Sequence, residues 1–240
     1  LSIRRQRQMC IRDRYRLLNA DGDYVINQLG TRGVTNGKHE GRGGWSWSNY
    51  IEKAEYNGMT NAFFNNGSLD FQNYCTVNGY EGIDYCIIAL GTNDVEQGDT
   101  PQHLFTDAYI NTIIDNAKTF VDALIRDFPN CKIAIGLPSV GGDGKLTSNP
   151  NAFHYKIKKL NKAYITTFDN GVYNKNVTTV AHGLFINRRL GYRYTEVPIS
   201  KRFTDVVKSY SEYVHSNPEG YYCYSDAFYG KIRRWMNGNL

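Results

Sequence analysis

Several features that would assign a class at once are absent. No apolar run approaches the roughly 18 residues of a membrane span, and the mean hydropathy is -0.53, so a soluble globular protein is expected. No Cys-x-x-Cys pair or Cys/His cluster has metal-ligand spacing, which argues against a structural zinc site. No internal repeat, Pro/Gly/Ser linker or low-complexity block divides residues 15–240, which favours one domain there. At 240 residues the chain is long enough to bury a core without disulfide staples.

Net charge is scarce outside one place. The formal net charge is +5, of which residues 1–14 hold +4, from five arginines and one aspartate. This arm has no aromatic interleaving and no accompanying nucleic-acid-binding motif, so no nucleic-acid partner is expected. No apolar segment follows it, so it does not read as a signal peptide. The chain begins with Leu, and Gln8-Met9-Cys10-Ile11-Arg12-Asp13-Arg14 looks like translated non-coding or adapter sequence. Residues 1–14 are therefore expected to be a poorly packed, non-native arm on a truncated reading frame. Of the five cysteines, Cys86 and Cys131 fall in apolar runs and read as buried free thiols. Localisation stays open, with secretion or a periplasmic site compatible, because a signal sequence would lie ahead of Leu1.

The elements alternate in type. Ile83–Leu90 is short, apolar and β-branched and stops at Gly91, the pattern of a strand buried on both faces. Pro101 is read as opening a helix whose stripe includes Leu104, Phe105, Ala108, Ile113, Ala117, Phe120, Val121 and Leu124 and ends before Pro129. Strands are expected at Lys132–Leu137 and Val177–Ala181, and helices near 151–169 and 218–236. Strand, helix, strand, helix, strand, helix predicts an α/β fold with a mainly parallel sheet and its site at the carboxyl ends of the strands.

Three loops carry candidate chemistry. In Gly91-Thr92-Asn93-Asp94 the residues make either an Asn/Asp turn or, through the Asn93 amide, a donor for a developing oxyanion. In Glu40-Gly41-Arg42-Gly43-Gly44-Trp45 the glycines make a tight turn with Trp45 in the core, or offer the Gly44 N–H at a helix N-terminus. In Glu212-Tyr213-Val214-His215-Ser216-Asn217-Pro218 the lone histidine is unremarkable by itself. Glu212 can nevertheless fold back on its ring, and Ser216 or Asn217 can cap the next helix.

Taken together, these loops resemble the SGNH (GDSL-like) hydrolases, whose sequence blocks bring Ser, Gly, Asn and His to one site. Gly44 in EGRGGW matches the second block, Asn93 in LGTND the third, and His215 in VHSNPEGYYCYSDAFYG the fifth. Order and spacing agree over about residues 28–236, and GTRG, HEGRGGW and NNGSLDFQNYC are most similar to bacterial carbohydrate esterases of that family. Two departures stand out. The Gly-Asp-Ser block that supplies the nucleophile would precede residue 28 and is not present in 1–27, and Glu212 stands where the family has Asp.

The resemblance implies a three-layer α/β/α, flavodoxin-like SGNH fold over 15–240, here without its first strand. It implies a serine ester hydrolase removing acetyl or other short acyl groups, from carbohydrate, with no metal or organic cofactor. His215 would be the base, Glu212 its orienting acid, and Gly44 and Asn93 the oxyanion donors. The alternative is a non-catalytic carbohydrate-binding module or pseudoenzyme on the same fold. The sequence does not determine acyl group, alcohol or oligomeric state.

Overall fold

The computed structural model describes residues 17, 20, 26–33, 37–97, 105–141, 150–169, 173–187, 190–201, 205–210 and 214–238. The arm at 1–14 with Cys10, and Pro101, Leu104 and Glu212, lie outside the described residues. In chain order the elements are α1 (Trp47–Glu52), β1 (Glu55–Tyr56), β2 (Met59–Thr60), β3 (Phe64–Asn65), β4 (Ser68–Leu69), α2 (Phe71–Asn78) and β5 (Tyr85–Ile88). They continue with α3 (Thr92–Gln97), α4 (Asp107–Asp127), β6 (Lys132–Gly136), α5 (Pro150–Phe168), β7 (Val177–Val180), a 3-10 turn (His182–Leu184), β8 (Tyr194–Pro198), β9 (Val206–Tyr210) and α6 (Pro218–Met236).

The fold is α/β. Strands β5, β6 and β7 form a parallel sheet in that order, with Ile88 opposite Ile135 and Ile133 opposite Val177. β6 is the middle strand, and Ile133, Ala134 and Ile135 are fully buried. The strand expected at 83–90 is shorter and less buried than its composition implied: Tyr85 is exposed and Cys86 and Ile87 are half-buried. Among the described residues β5 pairs on one side only, so its apolar residues do not meet cover all round.

Alternation along the strands sends side chains to opposite faces. Ile88, Ile133, Ile135 and Val177 pack with Phe120, Val121 and Leu124 of α4 and Ile157, Leu160, Tyr164 and Phe168 of α5. Ala134 and Val180 turn the other way and meet Phe228 and Trp235 of α6. Gly136 has to be glycine there, because an added Cβ would lie 2.4 Å from the His182 ring. That ring in turn stacks on Phe228 at 5.1 Å. Burial pushes the Cys86 thiol up to about 12 and raises that of Cys131 as well, which leaves both protonated and inert.

The helices stop and start where local chemistry dictates. α4 begins at Asp107 rather than at Pro101, because extended Thr106 caps it and accepts from the Tyr109 N–H at 3.2 Å. Phe105 is thus buried just ahead of the helix, and Ala108 faces solvent. α6 opens on Asn217, whose side chain accepts from the Gly220 N–H at 3.0 Å, with Pro218 in the first turn and Arg233 and Arg234 in the last.

Between α1 and α2, β1–β2 and β3–β4 are hairpins around Asn57-Gly58 and Asn66-Gly67, all four residues at positive φ, as two-residue turns of this kind require. Arg42 is 5% exposed and fastens the segment ahead of α1: Nε donates to the Thr60 carbonyl at 2.6 Å and Nη1 to the Glu40 carbonyl at 2.6 Å. The Glu40 carboxylate pairs with Arg42 at 3.3 Å and accepts from the Tyr74 hydroxyl at 3.0 Å. Far from this knot, β8 and β9 form an antiparallel ribbon with Glu196 opposite Lys208, and its described side chains are exposed. The ribbon is closed at its base by a bridge between Tyr192 and Ser216.

Candidate functional site

Gly44 is exposed, in a turn at φ +77, and its N–H makes no hydrogen bond among the described residues. It does not sit at a helix N-terminus, as its sequence context suggested. α1 starts three residues later, capped by Ser46, whose own N–H donates to Asn49 Oδ1 at 2.8 Å. Trp45 fills the core at 0% exposed, as the tight-turn reading expects.

Asn93 is not in an open turn. It belongs to the first turn of α3, and its Nδ2 donates to the Trp45 carbonyl at 2.7 Å. One amide hydrogen is thereby committed, and the other has no partner among the described residues. This bond ties the residue after Gly44 to Asn93, so two candidates separated by 49 residues share one place.

Beside it, Asp94 is 4% exposed. Its Oδ1 accepts from the Trp47 N–H at 3.2 Å, while Oδ2 is buried without a hydrogen-bond partner among the described residues. Burial pushes its carboxyl up to about 6, against the opposing pull of backbone amides at Trp47, Asp94 and Gly91. The surrounding groups are aromatic. The Tyr109 hydroxyl donates to the Asp94 carbonyl at 2.9 Å, and Trp47 Nε1 donates to the Tyr164 hydroxyl at 2.6 Å. Burial and then the Asp94 charge raise the pKa of both tyrosines.

His215 is half-buried in the loop entering α6. The next residue, Ser216, is 1% exposed and bridged to Tyr192, and the Asn217 N–H donates to the Gly191 carbonyl at 2.9 Å. Asn217, not Ser216, therefore caps the helix. Tyr192 is itself pinned, its hydroxyl 2.5 Å from Ser139 Oγ just past the end of β6. Glu212 lies outside the described residues.

Of the candidate segments only Gly91–Asp94 follows a parallel strand directly, after β5; Leu137–Ser139 follows β6 and His182–Gly183 follows β7 at the same carboxyl edge, whereas the Gly44 turn precedes α1 and the His215 loop follows β9. Contacts lead from one candidate to the other along that edge. A Cβ on Gly91 would lie 3.1 Å from Pro138, one on Gly183 would lie 2.6 Å from the Ser139 Cα, and Ser139 reaches Tyr192 beside Ser216. Asn93 is thus joined by one hydrogen bond to Trp45, the residue after Gly44, and the contacts that lead on towards His215 run through Pro138, Ser139 and Tyr192. None of the three lines the open groove between α4 and α5.

Sequence reasoning passed over three participants. Asp94 was visible only as a neighbour of Asn93, and nothing local announces its burial. Ser139 and Tyr192 are ordinary residues until the fold sets them together; the position of Ser139 just after a buried strand was the one available signal. Among the described residues no group of three or more His, Cys, Asp or Glu side chains is placed to hold a metal ion, and no helix is long and apolar enough to cross a membrane. No protein-family model matches the chain, and no curated protein and no solved structure matches it either.

Proposed function

We propose that the chain is part of a serine ester hydrolase of the SGNH type, acting on acetyl or other short acyl esters of carbohydrate, with the three-layer, flavodoxin-like fold of that family. The single observation that carries the reading is the 2.7 Å bond from Asn93 to the Trp45 carbonyl. It ties a side-chain amide, at the carboxyl edge of a parallel sheet, to the residue after the exposed Gly44, which supports the pairing of Gly44 and Asn93. Helices on both faces of that sheet agree with the layer order.

In this reading the second Asn93 amide hydrogen and the Gly44 N–H receive the oxyanion of the tetrahedral intermediate, each worth about 3 kcal/mol. His215 takes the proton of the attacking serine and returns it to the leaving alcohol, and Glu212 orients its ring. The second reading is a carbohydrate-binding module or pseudoenzyme on the same fold; the Gly-Asp-Ser block is not within residues 1–27.

The deciding experiment expresses the protein from a reading frame that includes whatever is encoded upstream of Leu1, and measures hydrolysis of a short acyl ester and of acetylated xylo-oligosaccharide. Turnover lost in His215→Ala supports the hydrolase. Equal rates with and without His215 remove it as base, and sugar binding without turnover favours the module.

A further inference from the structure

We infer that Asp94 is a positioning residue, whose buried carboxylate clamps the backbone of Trp47 and so holds the Gly44 turn against Asn93. The inference rests on the reading of Gly44 and Asn93 as a donor pair. Two bonds cross the gap between the segments: Asn93 Nδ2 to the Trp45 carbonyl at 2.7 Å, and the Trp47 N–H to Asp94 Oδ1 at 3.2 Å. They alternate in direction and lie two residues apart on the turn side but on consecutive residues of α3. Together they fix both the separation and the twist of the Gly44 turn, which one bond alone leaves free to pivot.

A carboxylate is an expensive choice for this task. Among the described residues Asp94, 4% exposed, has one oxygen without a hydrogen bond and no cation that favours its charged form. From α4 it is faced by Tyr109, from α5 by Tyr164, and from α1 by the Trp47 amide. A neutral amide or a packed apolar side chain would cost less in such surroundings. What the carboxylate adds is a stronger acceptor for the Trp47 N–H, and hence a clamp that is tightest when Asp94 is ionised. With the carboxyl at about 6, the grip changes across mildly acidic pH.

The test is an amide NMR titration of the labelled chain from pH 4.5 to 8, without substrate. The expected result is that the Trp47 amide, the Gly44 amide and the Asn93 side-chain amide shift together, with one midpoint near pH 6. Asp94→Asn should abolish that midpoint while leaving the Ile133 and Ile135 amides in place. If Asp94→Ala fails to fold, Asp94→Asn alone carries the comparison. A Trp47 titration that Gly44 does not follow overturns the inference, as does the lack of any midpoint at these amides. In a form that hydrolyses esters, Asp94→Asn should lower kcat at least about tenfold with KM unchanged, the pattern of a misplaced donor pair. Because the titration needs no turnover, failure of the hydrolase reading leaves it standing, and failure of the clamp leaves His215-dependent hydrolysis standing.

Discussion

The Tyr192 hydroxyl and Ser139 Oγ are 2.5 Å apart although 53 residues separate them in sequence. This bond fastens Tyr192, which is bridged to Ser216 beside His215, to the segment just past the middle strand of the sheet. Tyr192→Phe keeps the ring packing and removes the bond, so stability should fall by about 1 kcal/mol in urea denaturation. The His215 ring resonances should move as well, and a His215 spectrum unchanged by the substitution would show that the tether does not set the loop.

Two glycines at positive φ should respond very differently to alanine. Gly58 at φ +66 has open space where a Cβ would go, so Gly58→Ala should cost only the backbone penalty of about 1 kcal/mol. Gly91 at φ +114 would push its Cβ to 2.8 Å from the Tyr164 hydroxyl and 3.1 Å from Leu160. Gly91→Ala adds overpacking of about 1–3 kcal/mol to the backbone term. Thermal unfolding of the pair checks the order.

Asp94 predicts an unusual pH dependence of stability. Its carboxyl is raised from 3.8 to about 6 by burial, so the folded state holds the proton more tightly than the unfolded chain does. That contribution is fully favourable below about pH 4, is lost as pH rises through about 6, and then levels off. A gap of about two units corresponds to about 3 kcal/mol. Asp94→Asn should flatten this limb and raise the melting temperature at pH 7.5 by several degrees, which denaturation at a series of pH values measures.

Ser46 is the serine nearest Gly44 in sequence and the first to test as a substitute nucleophile. It is 1% exposed, and its Oγ is engaged by Asn49 Oδ1 at 2.8 Å and Ser48 Oγ at 3.0 Å. Ser46→Ala should cost about 1 kcal/mol of stability as a lost cap and leave ester hydrolysis intact in a competent form. Hydrolysis abolished by Ser46→Ala at unchanged stability would identify the wrong nucleophile.

Much of the α/β frame was legible because its signals are local and long. The stripe Phe153, Ile157, Leu160, Tyr164, Phe168 is buried in full, and Asn217-Pro218 marks the start of α6 to the residue. The hairpins at Asn57-Gly58 and Asn66-Gly67 escaped the periodicity argument, since strands of two residues show no alternation. The β8–β9 ribbon escaped it too, because a strand exposed on both faces has no apolar side to repeat. At the site, residue types singled out Gly44 and Asn93 as candidates, but the surroundings of Asp94 depend on Trp47 and Tyr164, 47 and 70 residues away, and only packing reveals them.

The ribbon has a consequence for how this chain can vary. Its two strands are in register from Tyr194 opposite Tyr210 to Pro198 opposite Val206, and the Tyr192–Ser216 bridge closes its foot. Residues added or removed in facing pairs beyond that foot change the reach of the arm while the foot stays closed. Ribbons of different length are thus compatible with the same closed foot, and with the histidine loop anchored where it is.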